Sequence, residues 1–173
     1  MKKAGFLLTS GVAFGWVVLE AGWTWESFFM GVCAGLLIMI GIVDERTFEI
    51  PLRYNLAIGS LGVVHLILNL SNWKEYVIGM CTVSGFLLLL YYVTKVKGIG
   101  GGDVKLMAAA GLFLGWQKIL LAFFIGAVFG AVVHPIRMIL NGKSKIMALG
   151  PYLSLGIFIS MLYGEKVMKW YLG

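Results

Sequence analysis

Asp44 and Asp103 are the only aspartates in a chain of 173 residues, and six glutamates complete its acidic side chains. Asp44 closes one apolar run and sits in the stretch 41–51, GIVDERTFEIP, while Asp103 ends the stretch 98–103, GIGGGD, and opens another apolar run. Taken singly, each has a plain reading. Asp44 would mark the water boundary at a helix end, and Asp103 would be an N-cap favoured by the positive end of the helix dipole. Taken together, they offer chemistry. Two carboxyls held a few ångströms apart do not both ionise readily, so the pair keeps one shared proton. The ionised member takes a proton from water as the water attacks a peptide carbonyl. The protonated member donates a hydrogen bond to the carbonyl oxygen and later helps the amine leave. Such a pair titrates as a unit, so the shared proton belongs to neither residue in particular.

The glycines ahead of Asp103 suit the same chemistry. A Gly-rich turn adopts positive φ without strain and admits another extended chain where a Cβ would block it. Its plain reading is a flexible connection between helices. A phosphate cradle is excluded, because the Lys-Ser/Thr ending of a P-loop is missing. Lys105, two residues on, either favours an ionised carboxylate or reaches out to the membrane interface. His65 and His134 lie in apolar runs and read as packing histidines. Cys33 and Cys81 lack the C-x-x-C spacing of a zinc or redox site and read as small buried hydrophobes, so neither a metal nor a cofactor is expected.

The elements that must position these groups are membrane helices. Hydrophobic residues make up 60% of the chain, charged residues only 13%, and the mean hydropathy is +0.93. A soluble globule of this length has no interior large enough for that much apolar side chain. No stretch has the alternation of an outer-membrane barrel, which leaves helices as the spanning structure. Charged and turn-forming residues divide the chain into candidate spans at 4–20, 27–43, 53–70, 75–94, 103–115, 117–140 and 147–164. The fold class is therefore all-α, a polytopic helical membrane protein of six to seven transmembrane segments forming a single membrane domain over 1–173. The fifth segment is short enough to be re-entrant. Lys2 and Lys3 before an apolar run resemble a secretory signal, but no A-x-A site follows, so the run counts as the first span. Trp16, Trp23, Trp25, Trp73, Trp116 and Trp170 fall mostly near span ends, as interfacial anchors do. Pro135 is expected to kink the sixth span.

Orientation follows from the basic residues. With the N-terminus inside, Lys2, Lys3, Arg46, Arg53, Lys95, Lys97, Lys105, Arg137, Lys143 and Lys145 lie on the cytoplasmic side, against Lys74, Lys118, Lys166 and Lys169 outside. The same loop positions account for the net charge of +6, so no nucleic-acid partner is implied. Both aspartates then lie at the cytoplasmic face with two spans between them, and an antiparallel helix pair can return the chain to its starting point. A re-entrant fifth segment would leave the count unchanged. The grouping of Arg137, Lys143 and Lys145 in one short loop favours seven crossings.

At these residues the sequence closely resembles the type IV prepilin peptidases, a family of GxGD intramembrane aspartic proteases. Gly100 to Asp103 matches the GxGD element and continues to Gly111 like the family's GDVKLxAAxG signature. Asp44 stands seven residues before Pro51 of the Ile50-Pro51 pair, as in the family's first element. A weaker likeness, to a late GPxLxxG stretch, covers 150–156. Leu52 departs from the Asp or Asn that usually follows the Ile-Pro pair. The resemblance implies an aspartic endopeptidase that removes the basic leader of prepilin or pseudopilin precursors at the cytoplasmic face of the membrane. It implies Asp44 and Asp103 as the catalytic pair, with Gly100, Gly102, Lys105, Ile50 and Pro51 binding substrate or supporting them. The cysteine-bearing methyltransferase portion of bifunctional members is not found, so a peptidase-only form without N-methylation is expected. Glu45 and Glu49 near the mouth either attract the basic leader or are solvated loop charges. The competing class is a small proton-coupled transporter or channel using the two acids as a relay, although a relay wants polar groups distributed through the membrane. A purely structural assembly subunit is a third possibility.

Overall fold

The computed structural model describes residues 3–94, 100–141 and 148–173. Lys2, Lys95, Lys97, Gly98, Lys143, Lys145 and the expected start of the last span at 147 lie outside the described residues. Among the described residues seven α-helices follow in order: α1 Lys3–Ala21, α2 Trp25–Thr47, α3 Leu52–Leu68, α4 Trp73–Val93, α5 Gly101–Leu114, α6 Trp116–Asn141 and α7 Gly150–Leu172, with a 3-10 turn Leu70–Asn72 before α4. No strand occurs among the described residues. Three helical stretches, Trp25–Thr47, Leu70–Val93 and Trp116–Leu140, are long and apolar enough to cross a membrane, and Leu7–Ala21 and Leu52–Leu68 are shorter apolar helices. The chain is a polytopic helical membrane protein.

Local chemistry sets the helix ends. Thr24 caps α2, its hydroxyl accepting the Ser27 N–H at 3.1 Å. Phe48 ends α2 in the left-handed region (φ 56) and returns its N–H to the Asp44 carbonyl at 2.8 Å. Pro51 has a φ of −60 and lacks an N–H, which makes it a suitable lead into α3. Gly115, at φ +83, makes the break between α5 and α6 that a side chain would strain.

Packing then orders the bundle. The fifth helix lies at its centre, with Leu106, Met107 and Ala110 fully buried, and packs against α3, α4 and α6. It lies along α4 in antiparallel fashion: Gly101 is beside the Tyr91 ring, Gly111 crosses Gly79 backbone to backbone, and Gly115 reaches Glu75 and Tyr76. A Cβ on Gly79 would come 2.5 Å from the Gly111 carbonyl oxygen, so this crossing needs glycine on both sides. In lipid, where apolar surface gains nothing by leaving solvent, such close approach is what holds helices together. A helix of 14 residues is roughly 21 Å long, and its contacts carry it from one end of α4 to the other. It is a traverse of the bundle rather than a re-entrant loop.

Helices α6 and α7 are likewise antiparallel. Gly126 packs on Leu153, Gly156 on the Ala122 backbone, and Lys118 pairs with Glu165 at 2.7 Å. The first helix packs on α2 and is tied to α7 by Trp16 donating to Tyr163 at 3.0 Å, Tyr163 donating to Glu20 at 3.0 Å and Lys166 pairing with Glu20 at 2.8 Å. These ion pairs gather Glu20, Lys118, Glu165 and Lys166 at one end of the bundle, opposite the aspartates.

Four expectations are corrected here. Arg137 is not in a loop: α6 continues through it to Asn141, with Pro135 inside the helix. The last helix runs to Leu172, past the 164 at which the span was expected to end. Cys33 is buried as expected, but Cys81 is exposed on the outer face. Asp103 is not an N-cap, since Gly100 holds that position. The histidine expectation stands for His65, whose ring packs 5.2 Å from those of Tyr76 and Phe113.

Candidate active site

Asp44 lies in the last turn of α2, three residues before its end, and is 4% exposed. Its Oδ2 accepts the N–H of Gly150, the first residue of α7, at 2.8 Å. A carboxylate facing a helix N-terminus meets unpaired N–H groups and the positive end of the dipole. Gly150 permits this contact because a Cβ there would lie 2.6 Å from that same oxygen.

Asp103 is the third residue of α5 and is 7% exposed. Its Oδ2 accepts the N–H of Gly100 at 3.2 Å, closing the first turn of the helix on itself. Its Oδ1 is buried with no hydrogen-bond partner among the described residues. Buried polar oxygens are nearly always satisfied, so an open one at the base of a cavity marks a place for a water or a substrate group.

The two carboxyls line one cavity of about 540 Å³. Around them stand Phe48, Glu49, Ile50, Tyr91, Gly100, Gly101, Gly102 and Lys105. Of the residues singled out from sequence, Gly100, Gly102, Lys105 and Ile50 therefore share the cavity with Asp44 and Asp103. Pro51 is outside the lining and sets the start of α3 behind Ile50. Gly102 lies against the Ile50 main chain: a Cβ would be 3.0 Å from Ile50 Cβ and 3.3 Å from its nitrogen. Lys105 is exposed at the rim. Glu49 is exposed and lines the cavity, whereas Glu45 turns away and pairs with Arg137 of α6. Among the described residues, no group of three or more His, Cys, Asp and Glu is spaced to hold a metal.

Two contacts at the site, one to Asp44 and one to the residue before Asp103, were not read from sequence. Gly150 was visible only as part of a weak motif. Asn55, 4% exposed in α3, donates its Nδ2 to the Gly102 carbonyl at 3.2 Å. Its only signal was an amide inside an apolar span.

The sequence profile of the Type IV leader peptidase family matches residues 31–134. The prepilin leader peptidase/N-methyltransferase of Legionella pneumophila is 28% identical over 159 residues, covering 88% of this chain and 55% of that protein. Its counterpart in Aeromonas hydrophila is 30% identical over 146 residues, covering 79% and 50%. That of Pseudomonas aeruginosa is 28% identical over 174 residues, covering 95% and 59%. The chain thus spans about half to three fifths of the length of these relatives. No solved structure matches it. With more than half of its residues matched, including both aspartates and the glycines before the second, the chain belongs to the type IV leader peptidase family.

Proposed function

We propose that this protein is an intramembrane aspartic endopeptidase that removes the basic leader of prepilin or pseudopilin precursors at the cytoplasmic face of the membrane. The observation that carries the reading is the shared cavity of Asp44 and Asp103 at one end of the bundle. The names of its relatives, prepilin leader peptidases, supply the substrate class.

In this mechanism one carboxylate takes a proton from the attacking water. The other carboxyl donates to the carbonyl oxygen of the scissile peptide, and the proton gained by the first returns to the departing amine. Gly100, Gly101 and Gly102 line the cavity beside Asp103, where an extended substrate would lie. Ile50 lines the cavity next to Gly102 with Pro51 behind it, and Lys105 and Glu49 are exposed lining charges that a polar leader would meet. One membrane domain carries the whole reaction.

Purified protein in lipid vesicles, given a peptide with a basic leader ahead of a hydrophobic helix, is expected to make one cut at the leader boundary. An intact peptide, with proton flux across the same vesicles, would replace the peptidase with the relay. Orientation is tested separately. A cysteine placed at Glu49 should react with an impermeant reagent only from the cytoplasmic side, and one at Asn72 only from the other side. Labelling of both from one side overturns the topology.

A further inference from the structure

Asn55 is the only buried Asn or Gln side chain among the described residues. Its Nδ2 faces the Gly102 carbonyl, and because only the NH₂ end of the amide donates, that contact fixes which way the group points. The other end, Oδ1, is then left buried without a partner among the described residues. This arrangement does little for the fold. Gly102 lies within α5, where its carbonyl already has a helical partner four residues on, so the Asn55 bond is a second one to the same oxygen. A leucine, with the same number of side-chain heavy atoms, would occupy the site without stranding an acceptor.

The bond does have a use at the site. The Gly102 carbonyl belongs to the peptide whose nitrogen is that of Asp103. Asn55 is four residues past Pro51, on the chain that has just left the helix bearing Asp44. The amide therefore joins the backbone of one aspartate to the segment leading away from the other, and the Ile50 main chain packs on Gly102 beside it.

We infer that Asn55 is a positioning residue of this site: it holds the Gly102–Asp103 peptide against the start of α3 and so sets the spacing of the two carboxyls. The inference rests on the peptidase reading. Asn55→Leu and Asn55→Gln, purified full length in vesicles, are compared with wild type for cleavage of a leader peptide and for thermal midpoint. For Asn55→Leu, kcat is expected to fall about 10- to 100-fold, in keeping with a small displacement of a catalytic group, with KM within about twofold. Its thermal midpoint should equal or exceed that of wild type, and Asn55→Gln, which keeps an amide donor, should recover part of the lost kcat. A wild-type kcat in Asn55→Leu overturns the inference, as does a kcat loss that follows a fallen midpoint with no gain from Gln. Should Asn55→Leu fail to fold, Asn55→Ser against Asn55→Ala decides: a higher kcat for Ser, which retains a donor, supports the role, and equal values overturn it. If wild type cleaves nothing, the peptidase reading itself falls. If wild type cleaves and the variants match it, only the role of Asn55 falls.

Discussion

Asp44→Asn and Asp103→Asn should each lower kcat by about 10³-fold or more, and the double variant should be hardly slower than either single one. Each change replaces a carboxyl by an amide of the same shape. In Asp44→Asn the amide oxygen still accepts the Gly150 N–H, and in Asp103→Asn it still accepts the Gly100 N–H, so the packing that holds each side chain is kept. What is lost is the exchangeable proton. With one amide present, the remaining carboxyl can serve as base or as acid but has no partner for the complementary step. Removing the second then takes away a group that was already unable to complete the cycle, which is why the effects should not multiply. Thermal midpoints near wild type would exclude unfolding as the cause. If either single variant kept near-normal turnover, or if the two losses multiplied, the carboxyls would not be acting as a pair and the aspartic mechanism would have to be given up.

The parts of this molecule that were legible in the sequence are those written in local terms. Apolar runs bounded by charges and Gly or Pro gave seven helices, because a span must bury about 20 residues and stop where water begins. Asp44 and Asp103 stood out because acidic groups at the edge of an apolar run are rare, and counting spans placed them on one face. What could not be read was the rotation of each helix about its axis. In a soluble protein a polar face reveals it, but here the lipid-facing residues, such as Leu89 and Phe124, are as apolar as the packed Leu87 and Ile119. Contacts that depend on rotation were therefore hidden. Nothing in the local pattern says that Gly150 meets Asp44 across 106 positions, that Asn55 turns toward Gly102, or that Glu45 faces Arg137 while its neighbour Asp44 faces the cavity. Arg137 fell inside the expected sixth span but was also grouped with the loop lysines Lys143 and Lys145; it lies within α6, where its charge reaches Glu45.

Gly150→Ala should reduce kcat by roughly 10²-fold, the penalty of a catalytic group displaced by about 1 Å, although alanine is the better helix former by about 1 kcal/mol. The backbone at Gly150 begins α7 and is not in the positive-φ region, so conformation does not demand glycine there. Space does. The added methyl would lie 2.6 Å from Asp44 Oδ2, 2.8 Å from its Cγ and 2.9 Å from its Cβ. Because its three nearest neighbours all belong to Asp44, relief requires either rotation of that carboxyl into the cavity or a shift of α7 away from α2. Both break the 2.8 Å bond from Gly150 and change the distance from Asp44 to Asp103. The expected signature is a fall in kcat with KM and thermal midpoint little changed. Gly35→Ala and Gly85→Ala, where nothing lies within 4 Å of the added atom, should behave as wild type and show that a methyl on a span is tolerated elsewhere. Full activity in Gly150→Ala would mean that Asp44 does not rest against α7 when the enzyme works, and the carboxyl pair would then have to be assembled by some other contact.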